Sequence, residues 1–130
     1  MEDLKQEDTE AIGNDPTLLL VDDDKPFLQR LARAMESRGF QVTTAESVEE
    51  GIAAVKTSAP AYAVVDMRLG DGNGLDIIEA IRSRRADTRA IVLTGYGNIA
   101  TAVNAVKLGA IDYLSKPADA DEVFAALTRR

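Results

Sequence analysis

The stretch TLLLVDDDKPFLQRLARAMESRGFQVTTA, residues 17–45, contains one complete unit of the fold. TLLLV is apolar without alternation, as expected of a strand covered on both faces of a parallel sheet. Asp24 can cap the helix that follows, and Pro26 sits in its first turn. Leu28, Leu31, Ala32 and Met35 recur at helical spacing as one apolar stripe, and Gly39 supplies the stop. FQVTTA (40–45) then alternates, the pattern of a strand with one less buried face.

The same unit recurs along the chain. Ser47 and Glu50 match a capping box, opening a helix with Ile52 and Val55 inward that ends before Pro60. AYAVVD (61–66) is a third strand, followed by the glycine-rich loop MRLGDGNG (67–74) and a helix from Leu75 to Arg84 that buries Leu75, Ile78 and Ile81. AIVLT (90–94) is the fourth strand, and GYGN leads to a helix carrying Ile99, Ala102, Val103 and Val106, ended by Gly109. IDYL (111–114) is the fifth strand, and Asp119 with Glu122 opens a last helix carrying Val123, Phe124 and Leu127. Strict alternation of this kind implies right-handed crossovers and a doubly wound α/β fold, a parallel sheet with helices on both faces.

Ligands of such sheets bind at the carboxyl ends of the strands. There the sequence places Asp22 and Asp23 after strand one, Asp66 after strand three, Thr94 after strand four and Lys116 after strand five. Two carboxylates 4 Å apart repel by roughly 4 kcal/mol at an effective dielectric of 20, so three cannot cluster ionised without a cation. With neither histidine nor cysteine in the chain, zinc is a poor candidate, and Mg2+ suits the all-oxygen donor set. Asp66, a single acid ending a central strand, is the candidate nucleophile for a phosphoryl group; Asp22 and Asp23 form the pair suited to holding metal. Lys116 and the Thr94 hydroxyl can share the charge on the equatorial oxygens.

Taken singly, each piece has an ordinary reading. The run of three aspartates passes for a solvated turn, Thr94 for a strand residue and Lys116-Pro117 for a turn. GDGNG and TGYGN match neither the Walker pattern nor a dinucleotide fingerprint. Their joint placement at four strand ends favours an aspartate that accepts phosphate. A phosphatase with an aspartyl intermediate would need a general acid, commonly an aspartate two residues past the nucleophile, where Arg68 stands. A flavin or nucleotide binder on this fold is opposed by the acidic edge.

Charge and composition narrow the setting. Of the net charge of −7, residues 1–16 account for most, with six acids against Lys5. An acidic tail and a nearly neutral body do not make a DNA-binding surface. The tail, poor in apolar residues, is expected to be disordered. No apolar run is long enough to cross a bilayer and no signal-peptide pattern opens the chain, so the expected location is the cytoplasm, with no membrane partner. Without histidine, any phosphohistidine must come from another protein.

LLLVDDD, VVDMRLGDGNGLD, VLTGYG and DYLSKP together resemble the receiver domain of bacterial two-component response regulators, over roughly Thr17 to Arg129. More narrowly, PFLQRLARAMESRGF and VLTGYGNIATAVNAVKLGAIDYLSKPADADEV are similar to the redox-responsive global regulators of the RegA, PrrA and ActR group. The resemblance implies a flavodoxin-like (CheY-like) fold, with strand order 2-1-3-4-5 and five helices. It implies Asp66 as phosphoacceptor, Asp22, Asp23 and Asp66 as Mg2+ ligands, and the backbone carbonyl of Arg68 as a further ligand. Thr94 would be the switch hydroxyl, Tyr113 the switch aromatic and Lys116 the phosphate-contacting lysine, with a cis Lys116–Pro117 bond. The domains expected are a tail over 1–16 and a receiver over 17–130, with a DNA-binding helix-turn-helix effector outside this chain. The partners implied are a sensor histidine kinase, a second copy joined through helix four, strand five and helix five on phosphorylation, and DNA only through the effector.

Overall fold

Successive residues of a strand face opposite sides of its sheet, and the first strand uses both. The structure, a computed structural model, describes residues 10–95 and 99–129. Strands β1 (Thr17–Val21), β2 (Gln41–Ala45), β3 (Tyr62–Asp66), β4 (Arg89–Thr94) and β5 (Asp112–Ser115) form one sheet in the order β2-β1-β3-β4-β5. Every pairing in it is parallel. Helices α1 (Lys25–Ser37), α2 (Val48–Thr57), α3 (Leu75–Arg84), α4 (Ile99–Lys107) and α5 (Ala120–Thr128) link and follow the strands. Leu18 and Leu20 join Leu28, Leu31, Met35, Val123 and Leu127 in the core under α1 and α5. Leu19 and Val21 join Val55, Ile77, Ile78, Ile81 and Ala105 in the core under α2, α3 and α4. The strand order and these five helices agree with the sequence reading; among the described residues, 10–12 are helical as well, ahead of β1.

Local signals behave as their chemistry dictates, with one shift. The Asp24 side chain accepts the Phe27 N–H at 3.1 Å, opening α1. Asp119 and Glu122 form a reciprocal capping box at α5. At α2, Ser47 accepts the Glu50 N–H at 3.0 Å, but the Glu50 carboxylate reaches past it to the Glu46 N–H at 2.8 Å. Gly39 takes a φ of 108° just past α1, a conformation that L side chains avoid.

Helix α4 differs from its apolar pattern. Its small residues, Ala102 and Ala105, are buried, while Ile99, Val103 and Val106 face outward, Ile99 at 64% exposure. Alanines let the helix lie close to the sheet and leave the branched side chains on the far side.

The structure also departs from the expected disordered tail over residues 10–16. Ile12 is 4% exposed and packs into the core under α1 and α5. Its carbonyl accepts the Tyr62 hydroxyl at 2.6 Å. Asp15 accepts the N–H and the hydroxyl of Thr17 at 3.1 and 2.7 Å and pairs with Arg85 at 2.9 Å. One buried isoleucine and a saturated carboxylate offset the ordering entropy that the acidic composition alone could not. The expectation for residues 1–9 lies outside the described residues.

Candidate functional site

Parallel register puts the ends of β1, β3 and β4 side by side, so residues distant in sequence meet at the carboxyl edge. Asp22 directly follows β1 and Asp66 ends β3, both buried, at 2% and 5% exposure; Asp23 next to Asp22 is exposed. One carboxylate oxygen from each of the three lies within 4.8 Å of the others. Lys116 follows β5, and its Nζ lies 2.8 Å from Asp22 Oδ2 and donates to Asp66 Oδ2 at 3.2 Å. Its ammonium also lies 5.2 Å from the centre of the Phe27 ring, a contact the sequence reading missed because Phe27 reads as an ordinary first-turn residue of α1. Lys116–Pro117 is cis.

Of the remaining named residues, Arg68 touches this group, while Thr94 and Tyr113 lie on the neighbouring strands β4 and β5. The Arg68 N–H donates to Asp66 Oδ1 at 3.3 Å, while its side chain is exposed. Thr94 is buried at the end of β4, its hydroxyl donating to the Gly95 carbonyl at 3.1 Å. Tyr113 lies one strand over in β5, paired with Val92 and half-buried against the core under α2, α3 and α4.

Burial and the neighbouring Asp22 charge raise the Asp66 pKa above the usual aspartate value; Lys116 and the Arg68 N–H oppose them without winning. Burial works against the charge on Lys116, yet the Asp22 and Asp66 carboxylates outweigh it and raise its pKa. One oxygen, Asp22 Oδ2, is buried with no hydrogen-bond partner, only the Lys116 ion pair. Three carboxylates share this one ammonium, so negative charge remains at the edge that a hard cation would offset. The residues present therefore fit a divalent cation with oxygen ligands.

Asp71, in the glycine-rich loop, was also missed. Its carboxylate accepts the N–H groups of Val48 and Glu49 at 2.8 and 3.1 Å, and those bonds lower its pKa. Nothing in the local pattern signals this, because its partners lie more than 20 residues earlier.

The model of the response regulator receiver domain family matches residues 18–128. This chain is a response regulator receiver domain. The receiver is 72% identical over 123 residues to the acid tolerance regulatory protein ActR of Sinorhizobium medicae, covering 95% of this chain and 63% of that protein. It is 67% identical over 116 residues to the photosynthetic apparatus regulatory protein RegA of Cereibacter sphaeroides, covering 89% of this chain and 63% of that protein. The chain thus spans less than two thirds of these relatives. Among solved structures, a response regulator from Burkholderia pseudomallei with a phosphorylated aspartic acid, a calcium ion and citrate superposes with a TM-score of 0.82 at 40% identity. That match covers 88% of this chain and 68% of the other. A receiver is a phosphoacceptor signalling domain rather than a turnover enzyme, and its class implies a histidine kinase as partner. Among the described residues no helix is long and apolar enough to cross a membrane.

Proposed function

We propose that Asp66 accepts a phosphoryl group from the phosphohistidine of a sensor kinase in a Mg2+-dependent reaction. The observation that carries this reading is the reach of Lys116 Nζ to both Asp22 and Asp66, which joins strand ends one, three and five into one site. An oxygen of Asp66 attacks phosphorus; the O–P bond forms as the P–N bond breaks, and the leaving nitrogen keeps the pair and takes a proton from water. Asp22, Asp23, Asp66 and the Arg68 carbonyl would hold Mg2+, which would supply charge neutralisation at the transferring phosphoryl. Lys116 orients the Asp66 carboxylate and stays charged against burial. The solved relative with a phosphorylated aspartic acid and a calcium ion supports this chemistry.

The phosphoryl group, at about −2 at neutral pH in place of the carboxylate's single charge, draws the Thr94 hydroxyl toward it, and Tyr113 rotates into the space released. The responding face is α4, β5 and α5, where Ile99, Val103, Val106 and Ile111 stand exposed as an apolar surface. A second copy covers that face after phosphorylation. In the whole protein, by likeness to ActR and RegA, the receiver over 17–130 controls a DNA-binding effector and transcription in the cytoplasm, under a redox-linked kinase.

Intact mass after incubation with Mg2+ and a small acyl phosphate tests the chemistry. One phosphate adduct is expected in the wild type and none in Asp66→Asn. An adduct that survives the substitution would overturn the assignment.

A further inference from the structure

The loop from Met67 to Gly74 is a strut with its base on β3 and its apex on α2. At the base, the Gly74 N–H donates to the Met67 carbonyl at 3.0 Å. A Cβ added to Gly74 would stand 2.5 Å from the Asp66 carbonyl oxygen, so a larger residue would push the loop off its strand. Arg68 and Leu69 pair antiparallel with Asn73 and Gly72, and Leu69 is buried in the core beneath. At the apex, the Asp71 carboxylate takes the N–H groups of Val48 and Glu49. A helix leaves its first-turn donors without internal partners. Ser47 satisfies only the third of them, at Glu50. The capping of α2 is therefore divided between its own chain and the loop that carries Arg68.

We propose that Asp71 is a positioning residue: it holds the Arg68 backbone in place for the cation and transmits occupancy of the site to the first turn of α2. This inference rests on the Mg2+-dependent reading of Asp66. A carboxylate bonded to two N–H groups at the positive end of a helix is a charge-assisted tether. Movement of Arg68 toward a cation loads that tether, so α2 responds to the site through backbone hydrogen bonds. This route is separate from the α4, β5 and α5 face.

Wild type, Asp71→Asn and Asp71→Ala are compared by calorimetric Mg2+ titration and by hydrogen exchange at the Val48 and Glu49 amides, with and without Mg2+ and beryllium fluoride. Exchange at both amides slows on occupancy in the wild type. In Asp71→Ala, Mg2+ binds about tenfold more weakly and the two amides no longer respond. Asp71→Asn, which keeps one accepting oxygen, falls between. An Asp71→Ala variant that melts earlier but binds Mg2+ like the wild type reduces Asp71 to a helix cap and overturns the proposal. A wild type that neither binds Mg2+ nor forms the acyl phosphate adduct defeats the reading of Asp66 itself, and this inference with it.

Discussion

At the amino-terminal edge of the sheet, polar groups are saturated: Asp15 holds Thr17 and Arg85, the Tyr62 hydroxyl holds the Ile12 carbonyl, and the Thr88 hydroxyl holds the Pro60 carbonyl. At the carboxyl edge, three acids crowd one lysine, Asp22 Oδ2 has no hydrogen bond, and burial raises the Asp66 pKa. The same sheet thus spends its polar residues on stability at one end and, at the other, gathers three carboxylates around one ammonium with net negative charge left over. Uncompensated charge in such a cluster is the physical mark of a site awaiting a ligand.

Substitutions at the two edges are therefore expected to act with opposite signs. The largest stability effect belongs to Ile12→Ala, which deletes a buried anchor of the amino edge and costs about 2–4 kcal/mol. Urea unfolding measures it, and adduct formation at Asp66 remains. A loss below about 0.5 kcal/mol would mean that residues 10–16 are not docked.

Next is Asp66→Asn, which removes a charge from the crowded edge. In EDTA it stabilises the protein by about 1–2 kcal/mol, a fraction of the roughly 4 kcal/mol repulsion between carboxylates 4 Å apart. Destabilisation would show instead that Lys116 already neutralises the site.

The smallest effect is in pH. Because the fold raises the Asp66 pKa, this group's contribution is full below the ordinary aspartate value and is lost as pH rises through its folded value. Asp15 is the reverse: hydrogen bonds from Thr17 lower its pKa, so its contribution is present above the ordinary value and is lost as pH falls through its folded one. In EDTA, between about pH 4 and 7, rising pH should widen the advantage of Asp66→Asn over wild type. The deficit of Asp15→Asn should stay level over that range and shrink as pH falls below about 4, the ordinary aspartate value. The Asp15 side chain is 43% exposed, so solvent screening makes its effect the smaller. Matching signs would erase the distinction between the edges.

Most of the fold was legible because each βα unit carries local punctuation, an apolar run followed by an apolar stripe, with a cap such as Asp24, Ser47 or Asp119 or a stop such as Gly39, Pro60 or Gly109 within about 30 residues. The clustering of Asp22, Asp66 and Lys116 was legible because parallel register forces strand ends together, so it needed no contact information beyond strand order. What escaped depended on single long-range bonds. Ile12 is one apolar residue in an acidic stretch, and its partner Tyr62 lies 50 residues on. Asp71 looks like turn chemistry until α2 is seen to lean on it. The outward face of α4 escaped because Ala102 and Ala105 are weak hydrophobic signals, yet they decide which side packs.

Lys116, through its two ion pairs, also fixes the valence of the carboxyl edge. With its one positive charge counted, the three carboxylates of Asp22, Asp23 and Asp66 carry a formal balance of two negative charges, which a single divalent cation would cancel. Phosphoryl transfer would replace one negative charge on Asp66 with about two, turning an electrically closed pocket into one a charge short of neutrality. A neutral donor swinging inward can stabilise that one extra charge with a charge-assisted hydrogen bond, without a second ion being admitted.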